Sequence, residues 1–280
     1  MIHTSTQLKA LVRNLSKGNS AKAQTIIRNY IMERFLERLS LSPYKGNLIL
    51  KGGMLISSMV GLDTRSTMDM DATMKGFPLT EESASRIVTK IASIHIDDGI
   101  IFETQKVEPI MEEGDYPGIR ITLSASLEKM ETPLKIDFSA GDVITPGEAE
   151  YSYDLMFENR AISILAYPME TVLAEKLETI LSRGTANTRM RDFYDIYVLT
   201  ATKSDAINLA TLQDALVNTC QARGSSDNLA DASKILEEIR TNPELMKLWK
   251  QYQKKFDFAA DVEWQNAIEA IDNIIRMLAG

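Results

Sequence analysis

Apolar residues follow two different periods along this chain, and the places where one gives way to the other limit the fold more than any other feature. Between residues 48 and 138 they fall in short runs or alternate with polar residues, as half-buried strands require. Segments 48–50, 66–74, 100–109, 119–126 and 134–138 read as strands, separated by Gly, Pro and charged turns. Segments 54–60 and 81–94 read as helices between them. Before this region Ile26, Ile27, Tyr30, Ile31, Phe35, Leu36 and Leu39 recur at helical spacing, with Ser20 as the expected N-cap and Pro43 as the stop. A shorter helix is expected over 6–15. After residue 150 the period returns to 3.6, apart from one more strand at 162–166. Helices are expected from Pro168 to 181 and over 189–199, 209–223, 228–240, 244–256 and 261–278. The pattern predicts an α+β protein: a small mixed sheet with N-terminal helices in residues 1–160, then a helical domain in 161–280.

Composition excludes several alternatives. Of the 280 residues 44% are apolar and 25% charged, enough to bury a core and too apolar for a disordered chain. Cys220 is the single cysteine, so no disulfide framework is possible, and it lies in an apolar helical stretch that suits packing. No apolar run approaches the ~18 residues of a membrane span, and residues 1–17 lack the apolar block of a secretory signal, so a cytoplasmic location is expected. The chain carries a net −8, yet residues 1–51 hold nine basic and two acidic side chains. That +7 segment offers either a basic surface for an acidic ligand or simply the solvated faces of two helices.

The residues that suggest chemistry are carboxylates. Asp69 and Asp71 lie two apart on an expected strand, so both would project from one face and repel each other unless a cation sits between them. Mg²⁺ or Mn²⁺ suits such oxygen ligands and keeps waters for a phosphate. Upstream, Gly52-Gly53 lies between a strand and a helix N-terminus, where backbone N–H groups can approach phosphate; the alternative is an ordinary left-handed turn. Asp137 ends the apolar run 134–138 and, in antiparallel geometry, would reach the same end of the sheet as the Asp pair. Three carboxylates round divalent ions beside a glycine turn suit in-line phosphoryl transfer. His3 and His95 lie far from these acids in sequence, so no histidine-based site is visible; Met68, Met70 and Met74 alternate with the acids and are expected in the core.

The run Leu50-Lys51-Gly52-Gly53-Met54-Leu55, followed by Arg65-Ser66-Thr67-Met68-Asp69-Met70-Asp71, resembles the first motif of the nucleotidyltransferase superfamily. More narrowly, it resembles the AbiEii/AbiGii toxin family of bacterial abortive-infection toxin–antitoxin pairs. A second block, Glu175-Lys176-Leu177 and then Arg191-Asp192-Phe193-Tyr194-Asp195, is similar to that family's Glu-Lys-Leu and Arg-Asp-x-x-Asp motifs. The chain departs from the superfamily in having Met54 after Gly53, where a serine usually contacts phosphate. Its phosphate grip must then come from backbone amides with Ser57 or Arg65.

The resemblance implies a nucleotidyltransferase fold and the metal-dependent transfer of a nucleoside monophosphate from an NTP, with release of diphosphate. It also implies RNA, the 3′ end of tRNA, as acceptor and growth arrest as outcome. Under it, Asp69, Asp71, Lys176 and Asp192 are the expected catalytic residues, and Lys51, Gly52, Gly53, Arg65 and Asp195 bind the nucleotide. Asp69, Asp71 and Asp137 hold the metal. Read on its own, Lys176 sits mid-helix among Val172, Leu173, Leu177 and Ile180, where its ammonium either reaches a triphosphate or snorkels to water. Asp192 and Asp195 lie three apart on one helix face: one would orient Lys176 and the other face the site, or both belong to a surface Arg–Asp pattern.

Two other readings keep parts of this: transfer to a protein or small-molecule hydroxyl, and a non-catalytic NTP-binding module. The resemblance also implies a neighbouring-gene antitoxin, and the amphipathic C-terminal helices predict a soluble monomer with no obligate stable complex. Asp69→Ala, Lys176→Ala and Asp192→Ala are each expected to relieve toxicity without unfolding the chain.

Overall fold

The structure, a computed structural model, describes residues 1–111 and 117–279. The chain divides into two units, each built round its own core. The first comprises Met1–Leu62, Ser66–Asp142 and Ala149–Ala166; the second comprises Asp63–Arg65, Val143–Glu148 and Tyr167–Gly280.

The first unit is a mixed sheet with four helices among the described residues. Its elements are α1 (Ser5–Ser16), α2 (Ser20–Leu41), β1 (Leu48–Lys51), α3 (Gly52–Val60), β2 (Met70–Met74), α4 (Glu81–Ala92), β3 (Ile100–Met111), β4 (Pro117–Leu127), β5 (Met130–Ser139), β6 (Ala149–Asp154) and β7 (Ala161–Ala166). The strand order is β3-β4-β5-β2-β1-β7-β6. Pairs β1–β7 and β2–β5 are parallel; β1–β2, β3–β4, β4–β5 and β6–β7 are antiparallel. Alternation carries the long strands: in β4, Ile119, Ile121, Leu123, Ala125 and Leu127 face the core with polar residues between them. The charged turn expected between β3 and β4 falls on 112–116, outside the described residues.

Local chemistry sets the helix starts. Thr4 caps α1 in a reciprocal capping box with Gln7, and Thr80 does the same for α4 with Ser83. The cap of α2 is Asn19, one residue before the expected Ser20, because its carboxamide oxygen accepts the Lys22 N–H. Strand β6 was not expected from the sequence: Ala-Glu-Tyr-Ser-Tyr-Asp is short and only Tyr153 of it is buried, so it lacks an apolar run.

Helix α2 changes the meaning of the basic N-terminal segment. From Asn29 to Leu39 every residue is buried, charges included. Arg38 donates two hydrogen bonds to Asp98, at 2.7 and 2.8 Å, and Arg34 pairs with Glu37 and Glu158. Two of the nine basic side chains are therefore spent inside the unit, and Lys51 is buried as well. Only part of the +7 segment is thus open to a ligand, and Lys9, Arg13 and Lys17 remain exposed.

Glu33 on the same helix is buried, and accepts the Met156 N–H at 2.8 Å and, more weakly, the Tyr153 hydroxyl at 3.5 Å. Burial pushes its pKa up to about 8, with Glu158 adding to the effect and the Met156 N–H and Arg34 opposing it. The folded pKa exceeds the unfolded value of about 4.3, so the folded state binds the proton more tightly. That contribution is present below about pH 4 and is lost as pH rises towards 8. Glu33→Gln keeps an acceptor for Met156 and removes the charge. Its melting temperature is expected to exceed that of the parent increasingly from pH 5 to pH 8 and to level off above; a difference independent of pH would contradict this.

The second unit is helical: α5 (Met169–Arg183), α6 (Met190–Lys203), α7 (Leu209–Ala222), α8 (Asp227–Ala230), α9 (Ala232–Thr241), α10 (Pro243–Lys255) and α11 (Trp264–Ala279). The helix expected over 228–240 is broken into α8 and α9 at Asp231. Asn242 caps α10 with Pro243 at its first turn. Trp249 and Trp264 pack at 5.7 Å in the core, and Cys220 is buried there as expected. No helix among the described residues is long and apolar enough to cross a membrane.

Candidate active site

In the first unit the acids gather on one row of the sheet. Register places Lys51 of β1 opposite Asp71 of β2, Asp71 opposite Asp137 of β5, and Asp137 opposite Arg120 of β4. Residues opposed in this way share a face, so the row reads cation, acid, acid, cation. The geometry corrects three expectations. Strands β2 and β5 run parallel, and Asp137 is brought beside Asp71 by direct pairing rather than by an antiparallel return. Strand β2 begins at Met70, so Asp69 lies in the bend before it, where Thr67 donates to its carbonyl at 3.2 Å. Met68, in the same bend, is 46% exposed, whereas Met70 and Met74 are in the core.

Gly52 opens α3 directly after β1 with φ +69°, and the N-cap residue Lys51 makes no side-chain cap. A Cβ on Gly52 would lie 2.1 Å from Oδ2 of Asp71 and 2.7 Å from its Cγ. Only glycine lets the helix start and this carboxylate come so close. Gly53 is the next residue of the same helix; Ser57 lies buried more than a turn further along.

Both cations of the row have carboxylate partners. Lys51 Nζ donates to Asp142 at 3.0 Å, and Asp142 also accepts from the Thr73 and Ser139 hydroxyls. Burial would raise the Asp142 pKa, but Lys51 and these two hydroxyls hold it well below the usual carboxylate range. Asp142 was not singled out from the sequence. It follows a Gly turn three residues beyond β5, and only the pairing of β2 with β5 brings Thr73 and Ser139 together to receive it. Arg120 donates to both oxygens of Asp137, at 2.8 and 2.6 Å. Among the described residues no three His, Cys, Asp or Glu side chains form a metal-holding group. Of the expected set, Asp71 and Asp137 are directly opposed across β2 and β5, and β4 places the Arg120 guanidinium against Asp137.

The second unit holds the other motif as an ion-pair chain. Lys176 of α5 is 2.8 Å from Asp192 and 2.8 Å from Asp195, both on α6. Arg189 donates to Asp192 at 2.9 Å, and Arg65 donates to Asp195 at 2.6 Å. Lys176 therefore neither snorkels freely nor has a single orienting acid; both acids hold it. Asp192 pairs with Arg189, one turn earlier, rather than with the exposed Arg191. Arg65 is buried against Asp195.

Burial would raise the pKa of Asp195, but Arg65 and then Lys176 outweigh it and hold it at about 2. Asp192 is likewise lowered, by Lys176 and Arg189 against burial. Burial would lower the Lys176 pKa, and the two carboxylates raise it instead. Tyr194 packs in the interior, with its hydroxyl donating to the Thr64 carbonyl at 2.7 Å.

The fold is shared with two solved structures from Helicobacter pylori. One carries a provisional nucleotidyltransferase description (18% identity, TM-score 0.50, covering 91% of this chain and 96% of that one). The other is the protein JHP933 (18% identity, TM-score 0.51, covering 91% and 94%). No curated protein matches the chain. A family model for the AbiEii nucleotidyl transferase toxin of type IV toxin–antitoxin systems matches residues 34–273. With an α+β fold, a glycine turn closed on Asp71 and the Lys176–Asp192 pair all within that match, the chain belongs to the AbiEii nucleotidyl transferase toxin family.

Proposed function

We propose that this nucleotidyltransferase moves a nucleoside monophosphate from an NTP to RNA, with the 3′ end of tRNA as acceptor, and that growth arrest follows. The observation that carries the reading is the contact of Gly52 with Asp71. The N-terminus of α3 lacks a side-chain cap, and such a helix end favours phosphate. A carboxylate held at the same place repels phosphate, and a hard divalent ion reconciles the two.

The donor set fits that ion. Asp71, against the glycine turn, and Asp69, two residues before it, are half-buried carboxylates, and they would hold Mg²⁺ or Mn²⁺ with waters completing its shell. When bound, the metal supplies charge neutralisation of the triphosphate and of the attacking hydroxyl. The chain itself does the positioning: amides at the start of α3 face the phosphates, and Asp142 holds Lys51 at the head of the helix. In the second unit Lys176 is assigned to phosphate binding and Asp192 to holding it, with Asp195 and Arg65 bracing the pair.

Family membership implies an antitoxin partner; a stable complex with it is not required for solubility in this reading. The test uses the chain purified without its antitoxin, which should elute as a monomer. Given each of the four labelled NTPs with total RNA, it should label RNA at the size of tRNA with one or more nucleotides. Asp71→Ala should lower labelling by at least about 100-fold, the scale of a lost electrostatic contact to the reacting group. Label in protein or small molecules instead of RNA, labelling retained by Asp71→Ala, or aggregation without the antitoxin would overturn the respective part.

A further inference from the structure

Asp137 stands where a third metal ligand is expected, and the structure gives both its oxygens to one guanidinium. The contact is two-pronged: Arg120 Nε to Oδ1 at 2.8 Å and Nη2 to Oδ2 at 2.6 Å. Asp137 is buried, and the side chain of Arg120 is only 30% exposed. The partnership is built by register, since the two residues are directly opposed on β4 and β5. Arg120 also has an acid opposite it on its other side, Glu108 of β3, but Glu108 is bonded to Lys106 at 2.7 Å. The guanidinium is therefore turned inward along the row, with Asp69 close enough to add to its electrostatic environment.

A fork of this kind takes one in-plane lone pair from each oxygen and sets a fixed positive charge against the acid, which opposes a divalent ion there, and arginine does not deprotonate to relieve it. Lysine in its place could rotate away or lose its proton; a bidentate arginine pair is the more persistent choice.

We propose that Arg120 is the resident cation of the carboxylate row: it occupies Asp137, so that the site takes one divalent ion, on Asp69 and Asp71, instead of sharing three acids between two. The charge row is then Lys51, Asp71, Asp137 and Arg120, with both ends supplied by the chain. The inference rests on the reading that Asp69 and Asp71 hold a metal, and it adds that Asp137 does not.

The experiment is a Mn²⁺ titration of the full chain followed by EPR, with no nucleotide present, so that the readout is ions bound rather than activity. The unmodified chain is expected to bind one Mn²⁺. Asp137→Asn should also bind one, with its dissociation constant within about threefold of the parent. Arg120→Ala, which releases the Asp137 carboxylate, should bind two. Two ions on the unmodified chain, or a tenfold weakening or loss of an ion in Asp137→Asn, would overturn the proposal. So would a folded Arg120→Ala that still binds one. Should Arg120→Ala fail to fold, the Asp137→Asn arm decides by itself. No Mn²⁺ on the unmodified chain would instead remove the Asp69/Asp71 reading, and this inference with it.

Discussion

Gly52→Ala is expected to abolish measurable nucleotidyl transfer while leaving a folded, less stable chain. Two separate penalties act at this position. The backbone φ of +69° is one that glycine adopts freely and alanine adopts at a cost of about 1 kcal/mol. The added methyl also has no room: it would meet Asp71 at Oδ2 (2.1 Å), Cγ (2.7 Å) and Cβ (2.9 Å). Relief requires the carboxylate to move or the start of α3 to shift, an overpacking strain of about 1–3 kcal/mol. Either movement takes Asp71 from its place, and displacement of a catalytic group by about 1 Å costs on the order of 100-fold in rate.

Gly18→Ala separates the two penalties. Gly18 has φ +85° but nothing within 4 Å of a built Cβ, so alanine there pays the backbone cost alone and should leave transfer unchanged. Chemical denaturation and labelled-NTP transfer on both variants check this. Parent-like transfer by Gly52→Ala would mean that Asp71 does not need to sit at the head of α3.

Much of this site was legible in the sequence because its parts are local. Lys51-Gly52-Gly53 and Asp69-x-Asp71 can be seen as a strand-to-helix turn and a pair of acids without any knowledge of pairing. The Glu-Lys-Leu and Arg-Asp-x-x-Asp blocks likewise place Lys176, Asp192 and Asp195 on two successive helices, which are α5 and α6. What was not legible depends on strand order. Nothing in the run 117–127 marks Arg120 as the partner of Asp137, since the two are joined only by the β4–β5 register. Asp142 is equally silent, being a lone acid after a glycine until β2 and β5 lie side by side.

Charge counting failed for a related reason. Net charge over residues 1–51 treats Arg34 and Arg38 like surface groups, but α2 is enclosed on all sides over its second half and their partners, Glu158 and Asp98, come from far along the chain. The same helix shows why its apolar period was detectable and its burial was not. Ile31, Phe35 and Leu39 mark one face, whereas on the others Arg34 and Glu37 are buried as a pair, Arg38 against Asp98 and Glu33 against the Met156 N–H, which no single-sequence period displays.

Asp195→Ala is expected to destabilise the chain by about 3–5 kcal/mol, the range for breaking a buried ion pair from one side. It should do so far more than Lys176→Ala or Asp192→Ala. The difference follows from the partners. Asp195 is completely buried and receives both Arg65 at 2.6 Å and Lys176 at 2.8 Å, so its removal takes away the carboxylate on which two buried cations converge. Removing Lys176 leaves Asp192 with Arg189 and Asp195 with Arg65. Removing Asp192 leaves Lys176 with Asp195, and Arg189, whose side chain is 29% exposed, can turn to water.

Loss of transfer in Lys176→Ala would thus report on phosphate binding, whereas loss in Asp195→Ala would report first on folding. Acid gives an independent check. The Asp195 pKa lies at about 2 in the folded chain, below the unfolded value of about 3.9, so its stabilising contribution is fully present above about pH 4 and is lost as pH falls towards 2. The gap in urea midpoint between parent and Asp195→Ala should therefore be constant from pH 5 to 7 and narrow below pH 4. A gap that persists unchanged to pH 2, or an Asp195→Ala chain as stable as Lys176→Ala at pH 7, would show that Asp195 is not the keystone of this pair of helices.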